Sequence, residues 1–534
     1  MKPSTPPNIL LLFTDQQRYD TINALGFPYM RTPNLDRIVK EGYSFSRVYS
    51  PNPVCIPARH NLITGLPARY HRYFKNCSHP MDHTIPTLPR ILADHGYLTR
   101  AIGKMHFQPS RCHHGFHKME LMEETFQFRE DDEYAMYLKS VGLGHIQNIH
   151  GVRNLLYMVP QRSLIPEEHH GSTWVGRQAA DFIRTTAGRR PFFLWASWIA
   201  PHPPFDVCDE YADIYKNQIL PDPILSKTPL APNNLHHDVY ADLPRGREHD
   251  YLRRMREVYF AAVTQVDRNI GCVLQALEET GQIDNTLILF ASDHGEMLGD
   301  HGCFQKMLPY DSCARIPFIL RCPKGITPRV AVDDFVDLND VLPTFLDAAG
   351  ISCQGQIELP GASLLRERPT REYQYMEHAE DRYRWISMRD RRYKFNYYYG
   401  GGFEELYDMI EDPGETTNLL HTVPSAPEVV KARDKLRKAL LAHEERWGLQ
   451  DQVAQGEFLR LETPPKDRRR NMQFPRFPGN LPKNEREAIN DFGSEVIAAV
   501  AREKLIRLSD LDLDAWQKNG APPELVEQIR KNHL

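Results

Sequence analysis

Residues 286–292 read Thr-Leu-Ile-Leu-Phe-Ala-Ser, and Asp293-His294-Gly295-Glu296 follows them directly. This apolar run is typical of a strand that is buried on both faces of a parallel sheet. A similar run, Asn8-Ile9-Leu10-Leu11-Leu12-Phe13, ends at Thr14-Asp15-Gln16-Gln17. Because α/β proteins bind ligands at the carboxyl ends of such strands, the polar residues after both runs indicate a functional site.

Strand and helix patterns alternate over the first 370 residues and predict an α/β fold. We expect a large, mostly parallel central sheet with helices on both faces. Further strands are predicted at 43–49, 191–199 and 316–320, and 96–103 is predicted to be a turn and a strand. Helices are predicted at 32–42, 87–95, 173–185 and 253–280. Residues 107–170 show weak periodicity, and we interpret them as insertion loops that shape a substrate pocket.

The pattern changes after about residue 370. Short aromatic-rich runs between Tyr373 and Asp408 predict a small antiparallel sheet, and Pro427–Trp447 predicts a helix. We therefore divide the chain into an α/β catalytic domain (1–370), a C-terminal antiparallel-sheet subdomain (371–450) and a C-terminal extension (451–534). The extension has low predicted order around Pro464–Pro482, with helices after it.

Composition narrows the class of protein. The 534 residues include 65 basic and 70 acidic side chains, and a net charge of −5 gives no bias toward nucleic acid. The basic cluster Lys466–Arg470 is interpreted as a solvated face. Nine scattered cysteines suit a reducing compartment, and no apolar run is long enough for a signal peptide or a membrane span. We predict a cytoplasmic protein without membrane or nucleic-acid partners, although a chain whose leader had been removed would look the same.

Four residues at the two strand ends form a candidate metal site: Asp15, Gln16, Asp293 and His294. Their oxygen donors suit Ca²⁺ or Mg²⁺, whereas the imidazole shifts the preference toward Mn²⁺ or Zn²⁺. An alternative is that both aspartates cap the helices that follow. Four further basic residues would by default be interpreted as surface residues: Lys104, His106, His202 and Lys306.

The stretch Pro53–Gly65 places Cys55 in a stiff turn between two prolines. A helix is expected to begin at Pro57, so Cys55 would lie beside free backbone N–H groups that favour negative charge. Arg59 follows one helical turn later.

This stretch resembles the hallmark of the type I sulfatases, in which Cys-x-Pro-x-Arg is followed by Thr-Gly. The second signature of that family is similar to Gly96–His106 here, and the order of the motifs from Asn8 to about Leu420 is the family's. By this resemblance the chain is identified as a formylglycine-dependent sulfatase of the alkaline phosphatase superfamily. An alkaline phosphatase-like central sheet is implied.

The resemblance also implies residue roles. Cys55 would be oxidised to formylglycine by a dedicated generating enzyme, and its hydrated aldehyde would attack sulfur. One divalent metal, with Ca²⁺ favoured over Mg²⁺, Mn²⁺ and Zn²⁺, would be held by Asp15, Gln16, Asp293 and His294. The remaining implied roles are support of the formylglycine by Arg59, sulfate binding by Lys104 and Lys306, contact with the formylglycine hydroxyls by His106, and protonation of the leaving alcohol by His202.

Three hypotheses follow for the activity. The first is a sulfatase acting on a small substrate, either a sulfated sugar or an aryl or alkyl sulfate. The second is a phosphonate monoester or phosphodiester hydrolase, because Gln16 and His294 depart from many sulfatases and occur in that related branch. The third is a binding protein whose Cys55 stays a thiol. A homo-oligomer is also envisaged, with the extension as one contact.

Overall fold

A computed structural model describes residues 6–126, 128–153, 157–232, 234, 246–352, 358–464, 492–503, 513–518 and 523–533. In chain order the strands are β1 Asn8–Asp15, β2 Tyr43–Ser44, β3 Arg47–Tyr49, β4 Leu98–Gly103, β5 Lys118–Leu121, β6 Gln161–Arg162, β7 Phe192–Pro201, β8 Asp206–Val207, β9 Thr286–Ser292, β10 Phe318–Arg321, β11 Phe335–Asp337, β12 Gln374–His378, β13 Trp385–Arg389, β14 Tyr393–Tyr398, β15 Phe403–Asp408, β16 Val453–Ala454 and β17 Glu457–Phe458.

The α-helices are interspersed among these strands. They are α1 Pro33–Glu41, α2 Cys55–Thr64, α3 Ala68–His71, α4 Leu88–Asp94, α5 Glu133–Ser140, α6 Gly171–Thr186, α7 Asp209–Ala212, α8 Glu248–Glu279, α9 Asp311–Ala314, α10 Val341–Ala348, α11 Leu419–Thr422, α12 Pro427–Trp447, α13 Phe492–Arg502, α14 Leu513–Lys518 and α15 Pro523–His533. Within the described ranges, no helix has both the length and the apolarity needed to cross a membrane.

The central sheet has seven strands in the order β2-β10-β9-β1-β7-β4-β5. β1 pairs in parallel with β9 on one side and β7 on the other, whereas β10 runs antiparallel to β9. The register places Thr14 opposite Ser292, so the two predicted strand ends lie side by side. The predicted mostly parallel α/β sheet is confirmed.

Alternate residues of β1 belong to two different hydrophobic cores. Leu10 and Leu12 pack with α6 and α8 on one face of the sheet, whereas Ile9, Leu11 and Phe13 pack with α2, α4 and α10 on the other. All five side chains are fully buried. Burial on both faces explains why the sequence is continuously apolar rather than alternating.

The C-terminal sheet is an antiparallel meander in the order β12-β13-β14-β15, as the aromatic-rich runs predicted. Helix α12 packs across it through Leu436 and Leu440. A buried ion pair between Arg384 and Glu444 also joins the helix to the sheet. The domain boundaries at 370 and 450 stay a prediction.

Three local expectations were wrong. The single strand predicted at 43–49 is divided between β2 and β3, because the hydrogen-bonding partner changes from β10 to β11. Residues 107–170 are not only loops, since they include the edge strand β5 and helix α5. A four-residue strand of sequence Lys-Met-Glu-Leu is too short and too polar to give a periodic signal.

The third correction concerns helix α2, which begins at Cys55 rather than at Pro57. Val54 is its extended N-cap residue, and Pro57 occupies the third helical position, where a proline ring loses no intrahelical hydrogen bond. Beyond residue 450, β16 and β17 form a hairpin, and α13 to α15 follow. The segment predicted to have low order, and Lys466–Arg470, lie outside the described residues apart from Pro464.

Candidate active site

The carboxyl ends of β1 and β9 bring the predicted metal ligands together. Ligand atoms of Asp15, Asp293, His294 and Cys55 all lie within 4.8 Å of one another, and all four residues are buried. The backbone N–H of Gln16 donates to Asp293 Oδ1 at 3.0 Å, which fixes the two strand ends relative to each other. Neither aspartate serves as the N-cap residue of a described helix, so the simple capping alternative does not hold.

Gln16 supplies an independent test of whether a cation fits. Its backbone has a positive φ of 67°, and its side-chain Nε2 donates to Glu296. Its Oε1 is buried and accepts no hydrogen bond from any described residue. A buried amide oxygen without a hydrogen-bond partner is costly unless a cation or a water contacts it. The donor set therefore fits a hard divalent metal.

Cys55 lies at the first position of α2, and its Sγ lies close to Asp15, Asp293 and His294 of the candidate metal site. The distances from Sγ are 3.3 Å to His294 Nε2 and 2.8 Å to Lys306 Nζ. Burial raises the pKa of the Cys55 thiol, and so does the Asp15 carboxylate. The surrounding cations, Lys306 first, outweigh both and hold that pKa well below its usual value. The site is thus built to stabilise negative charge at position 55.

Arg59 is fully buried and contacts the carboxylates of Asp15 and Asp293, the two aspartates of the candidate metal site. Its guanidinium donates to Asp15 Oδ2 at 3.2 Å and to Asp293 Oδ2 at 3.1 Å. It also donates to Ser197 Oγ at 3.0 Å. These contacts orient both carboxylates, whereas the predicted support of a modified Cys55 stays a prediction.

The two predicted sulfate-binding lysines reach the site from different elements. Lys104 follows β4, and its Nζ lies 2.7 Å from Asp15 Oδ2 and 2.6 Å from Glu124 Oε2. Lys306 Nζ contacts Cys55 Sγ and, at 2.8 Å, His202 Nε2. Both lysines are buried, with pKa values held above the usual range by neighbouring anions despite burial.

His202 lies in the proline-rich loop after β7, where its Nδ1 contacts the Pro203 carbonyl at 2.5 Å. Burial lowers the pKa of His202 to about 4, although Glu124 opposes this. The imidazole is therefore neutral at pH 7, with Nε2 placed to accept a hydrogen bond from Lys306 Nζ.

His106 is placed differently from the other predicted residues. Its backbone N–H donates to Glu123 Oε1 at 2.9 Å, and its ring Nδ1 is buried without a hydrogen-bond partner among the described residues. Its predicted contact with position 55 stays a prediction.

Sequence reasoning missed Glu124 and Tyr157, and it gave Arg153 no role of its own beyond a place in the 107–170 segment interpreted as shaping the substrate pocket. Glu124 contacts both Lys104 and Arg153, and Tyr157 lies with its ring centroid 6.3 Å from that of His202. Glu124 follows the carboxyl end of β5, so the strand-end rule would have found it if that edge strand had been predicted. No periodic signal marks Arg153 or Tyr157.

Comparison with known proteins shows the family to which the chain belongs. A sequence model of the sulfatase family matches residues 7–351. The chain belongs to the sulfatase family. A second family model, the C-terminal region of N-sulphoglucosamine sulphohydrolase, matches residues 299–445. The predicted enzyme class, a sulfuric ester hydrolase, is confirmed by this membership.

Similar proteins include both sulfatases and a phosphonate hydrolase. An arylsulfatase of Clostridium perfringens is 32% identical over 461 residues, covering 82% of this sulfatase chain and 94% of the relative. A choline-sulfatase of Rhizobium meliloti is 30% identical, covering 77% and 82% respectively. The phosphonate monoester hydrolase of Agrobacterium radiobacter has a similar structure, with a TM-score of 0.68, 25% identity, and coverage of 82% of this chain and 96% of that one.

Proposed function

We propose that this sulfatase, after conversion of Cys55 to formylglycine, hydrolyses the sulfate ester of a sugar or of a small aryl or alkyl alcohol. One observation carries the proposal. Lys306 Nζ lies 2.8 Å from Cys55 Sγ and 2.8 Å from His202 Nε2. One ammonium group therefore contacts both the position of the nucleophile and the imidazole that would protonate the leaving group. Transfer of a sulfuryl group needs a nucleophile on one side of sulfur and an acid for the leaving group on the other.

Two groups complete this site. A divalent metal, with Ca²⁺ favoured by the oxygen donors, would be held by Asp15, Gln16, Asp293 and His294, and would supply positive charge near position 55. As hydrated formylglycine, residue 55 would supply one hydroxyl as the nucleophile and a second that allows sulfate to leave.

The chain's own side chains bind and orient the ester. Lys104 and Lys306 hold the sulfuryl oxygens, since both ammonium groups lie beside the nucleophile position. His202 is the proposed acid for the departing alcohol. Its neutral Nε2 accepts a hydrogen bond from the Lys306 ammonium group, takes up that proton, and passes it on to the leaving oxygen. His106 takes part in removing a proton at position 55.

Two measurements test the proposal. The chain is produced together with a formylglycine-generating enzyme, and peptide mass spectrometry determines whether residue 55 is the aldehyde. Release of inorganic sulfate from p-nitrophenyl sulfate is then measured. Conversion with turnover is expected. A thiol at residue 55 under these conditions would favour the non-catalytic binding protein instead.

A phosphonate monoester or phosphodiester hydrolase is the second candidate. Gln16 and His294 in the ligand set, together with the similarity to a phosphonate monoester hydrolase, favour this alternative. The comparison of kcat/KM for p-nitrophenyl sulfate with kcat/KM for a phenyl phosphonate monoester decides between them. A strong preference for the phosphonate would remove the sulfatase proposal.

The cellular setting forms part of the proposal. We place the protein in the cytoplasm, where its substrate would be a small imported molecule and a formylglycine-generating enzyme its maturation partner. Size-exclusion chromatography with light scattering tests the proposed homo-oligomer.

A further inference from the structure

Arg153 and Tyr157 form a cationic aromatic pair on the His202 side of the site. The Arg153 guanidinium lies 4.7 Å from the centroid of the Tyr157 ring, whose distance from the His202 ring is 6.3 Å. We propose that Arg153 binds a second anionic group on the alcohol part of the substrate. The substrate class would then be sulfate esters whose alcohol also carries a carboxylate or another sulfate. This inference rests on the proposed sulfatase function.

Glu124 places Arg153 close to the reacting ester. One carboxylate oxygen of Glu124 accepts from Arg153 Nη2, while the other contacts Lys104 Nζ at 2.6 Å. The second oxygen also lies 3.6 Å from His202 Nε2. A single carboxylate thus joins the sulfate-binding lysine, the leaving-group histidine and Arg153. A substituent near the ester oxygen would fall within reach of the guanidinium.

Arg153 retains unused hydrogen-bonding capacity. A guanidinium has five N–H donors, and Glu124 engages Nη2. Nη1 is buried and has no partner among the described residues, whereas the side chain as a whole is 29% exposed. A buried donor without a partner is costly, so an anionic oxygen beside Nη1 would be favourable.

The same pair opposes a cationic alcohol. Quaternary ammonium groups bind to aromatic faces, but here Arg153 already occupies a face of Tyr157. A second cation beside the guanidinium would be repelled. Although the choline-sulfatase of Rhizobium meliloti is a relative, this geometry argues against choline sulfate as a substrate here.

The test uses phenyl sulfate, its 2-, 3- and 4-carboxy derivatives, and choline sulfate. For each carboxyphenyl sulfate, kcat/KM is divided by kcat/KM for phenyl sulfate, in the wild type and in Arg153→Gln. Comparing this ratio between enzymes cancels the intrinsic reactivity of each leaving group. For at least one isomer, Arg153→Gln should lower the ratio about 10- to 100-fold, the factor expected for a lost charged hydrogen bond.

Arg162→Gln is the matched control, because Arg162 belongs to the same insertion but pairs with Asp209 and Asp213. It should leave the ratio unchanged. Arg153→Lys keeps the charge and should give an intermediate ratio, which also serves as the test if Arg153→Gln fails to fold.

Two results would overturn the inference alone. One is a ratio that Arg153→Gln leaves unchanged for all three carboxylates, as an equal loss on phenyl and carboxyphenyl sulfates would do. The other is choline sulfate as the preferred substrate. The proposed function itself fails under a different result. Formylglycine-containing wild type that releases sulfate from none of these probes would remove both.

Discussion

Two consecutive residues of α2, Arg59 and His60, are both fully buried but lie in opposite electrostatic surroundings. Arg59 contacts two carboxylates and stays charged, with its pKa raised by Asp293 against the effect of burial. His60 lies among the rings of His71, Tyr73 and His114, and burial lowers its pKa well below the usual value. Burial keeps a charge only where an opposite charge compensates it.

The largest expected effect is at the start of the same helix. Cys55→Ala removes the precursor of the nucleophile, so kcat should fall by at least about 10⁴-fold. The thermal midpoint should change little, because the side chain is small and lies at the start of α2, beyond the carboxyl ends of β1 and β9. Sulfate release and thermal unfolding are measured together.

Cys272→Ala is the control for that variant, since Cys272 lies on α8 and is only partly buried. It should keep full activity. Activity of Cys55→Ala within tenfold of the wild type would rule out the proposed mechanism.

Removal of Arg59 should have the next largest effect. Arg59→Met leaves Asp15 and Asp293 without their shared cation, and breaking a buried ion pair on one side costs about 3–5 kcal/mol. Urea denaturation of the metal-free protein measures the free energy of unfolding. A loss below about 1 kcal/mol would mean that Arg59 does not compensate these carboxylates.

The charged surroundings of Arg59 could be predicted from the sequence better than the neutral surroundings of His60. Asp15 and Asp293 follow buried strands, and strand ends converge wherever a parallel sheet forms, so their proximity could be deduced. His60, His71 and His114 meet only because α3, which ends at His71, and the loop that carries His114 pack against α2; no spacing in the sequence predicts that contact. Glu124 was missed because the short polar edge strand before it gives no periodic signal.

The buried histidines around His60 should make the stability of the folded state depend on pH. Burial lowers the pKa of His71 to about 3 and that of His114 to about 4, both below the value of about 6.5 in an unfolded chain. The unfolded state therefore binds more protons as the pH falls below about 6.5. Each histidine favours the folded state above that pH, and this contribution is lost as the pH falls toward 3–4.

His71→Gln isolates one of these contributions. Carboxylates also titrate in this range, so the informative quantity is the difference in thermal midpoint between wild type and variant. As the pH is lowered from 6.5 to 4, the thermal midpoint of the wild type should fall more than that of the variant. A difference that stays constant over this range would contradict a neutral, buried His71.

The smallest effect is expected for His60→Leu. The substitution loses one contact of 2.7 Å between His60 Nδ1 and the Ile56 carbonyl, but it also removes a buried Nε2 that has no partner among the described residues. Because a side chain of similar volume replaces both groups, the free energy of unfolding should change by no more than about 1 kcal/mol. Urea denaturation beside Arg59→Met makes the comparison direct. A loss of more than about 3 kcal/mol at His60 would show that the imidazole, like the neighbouring guanidinium, is held by a specific polar partner.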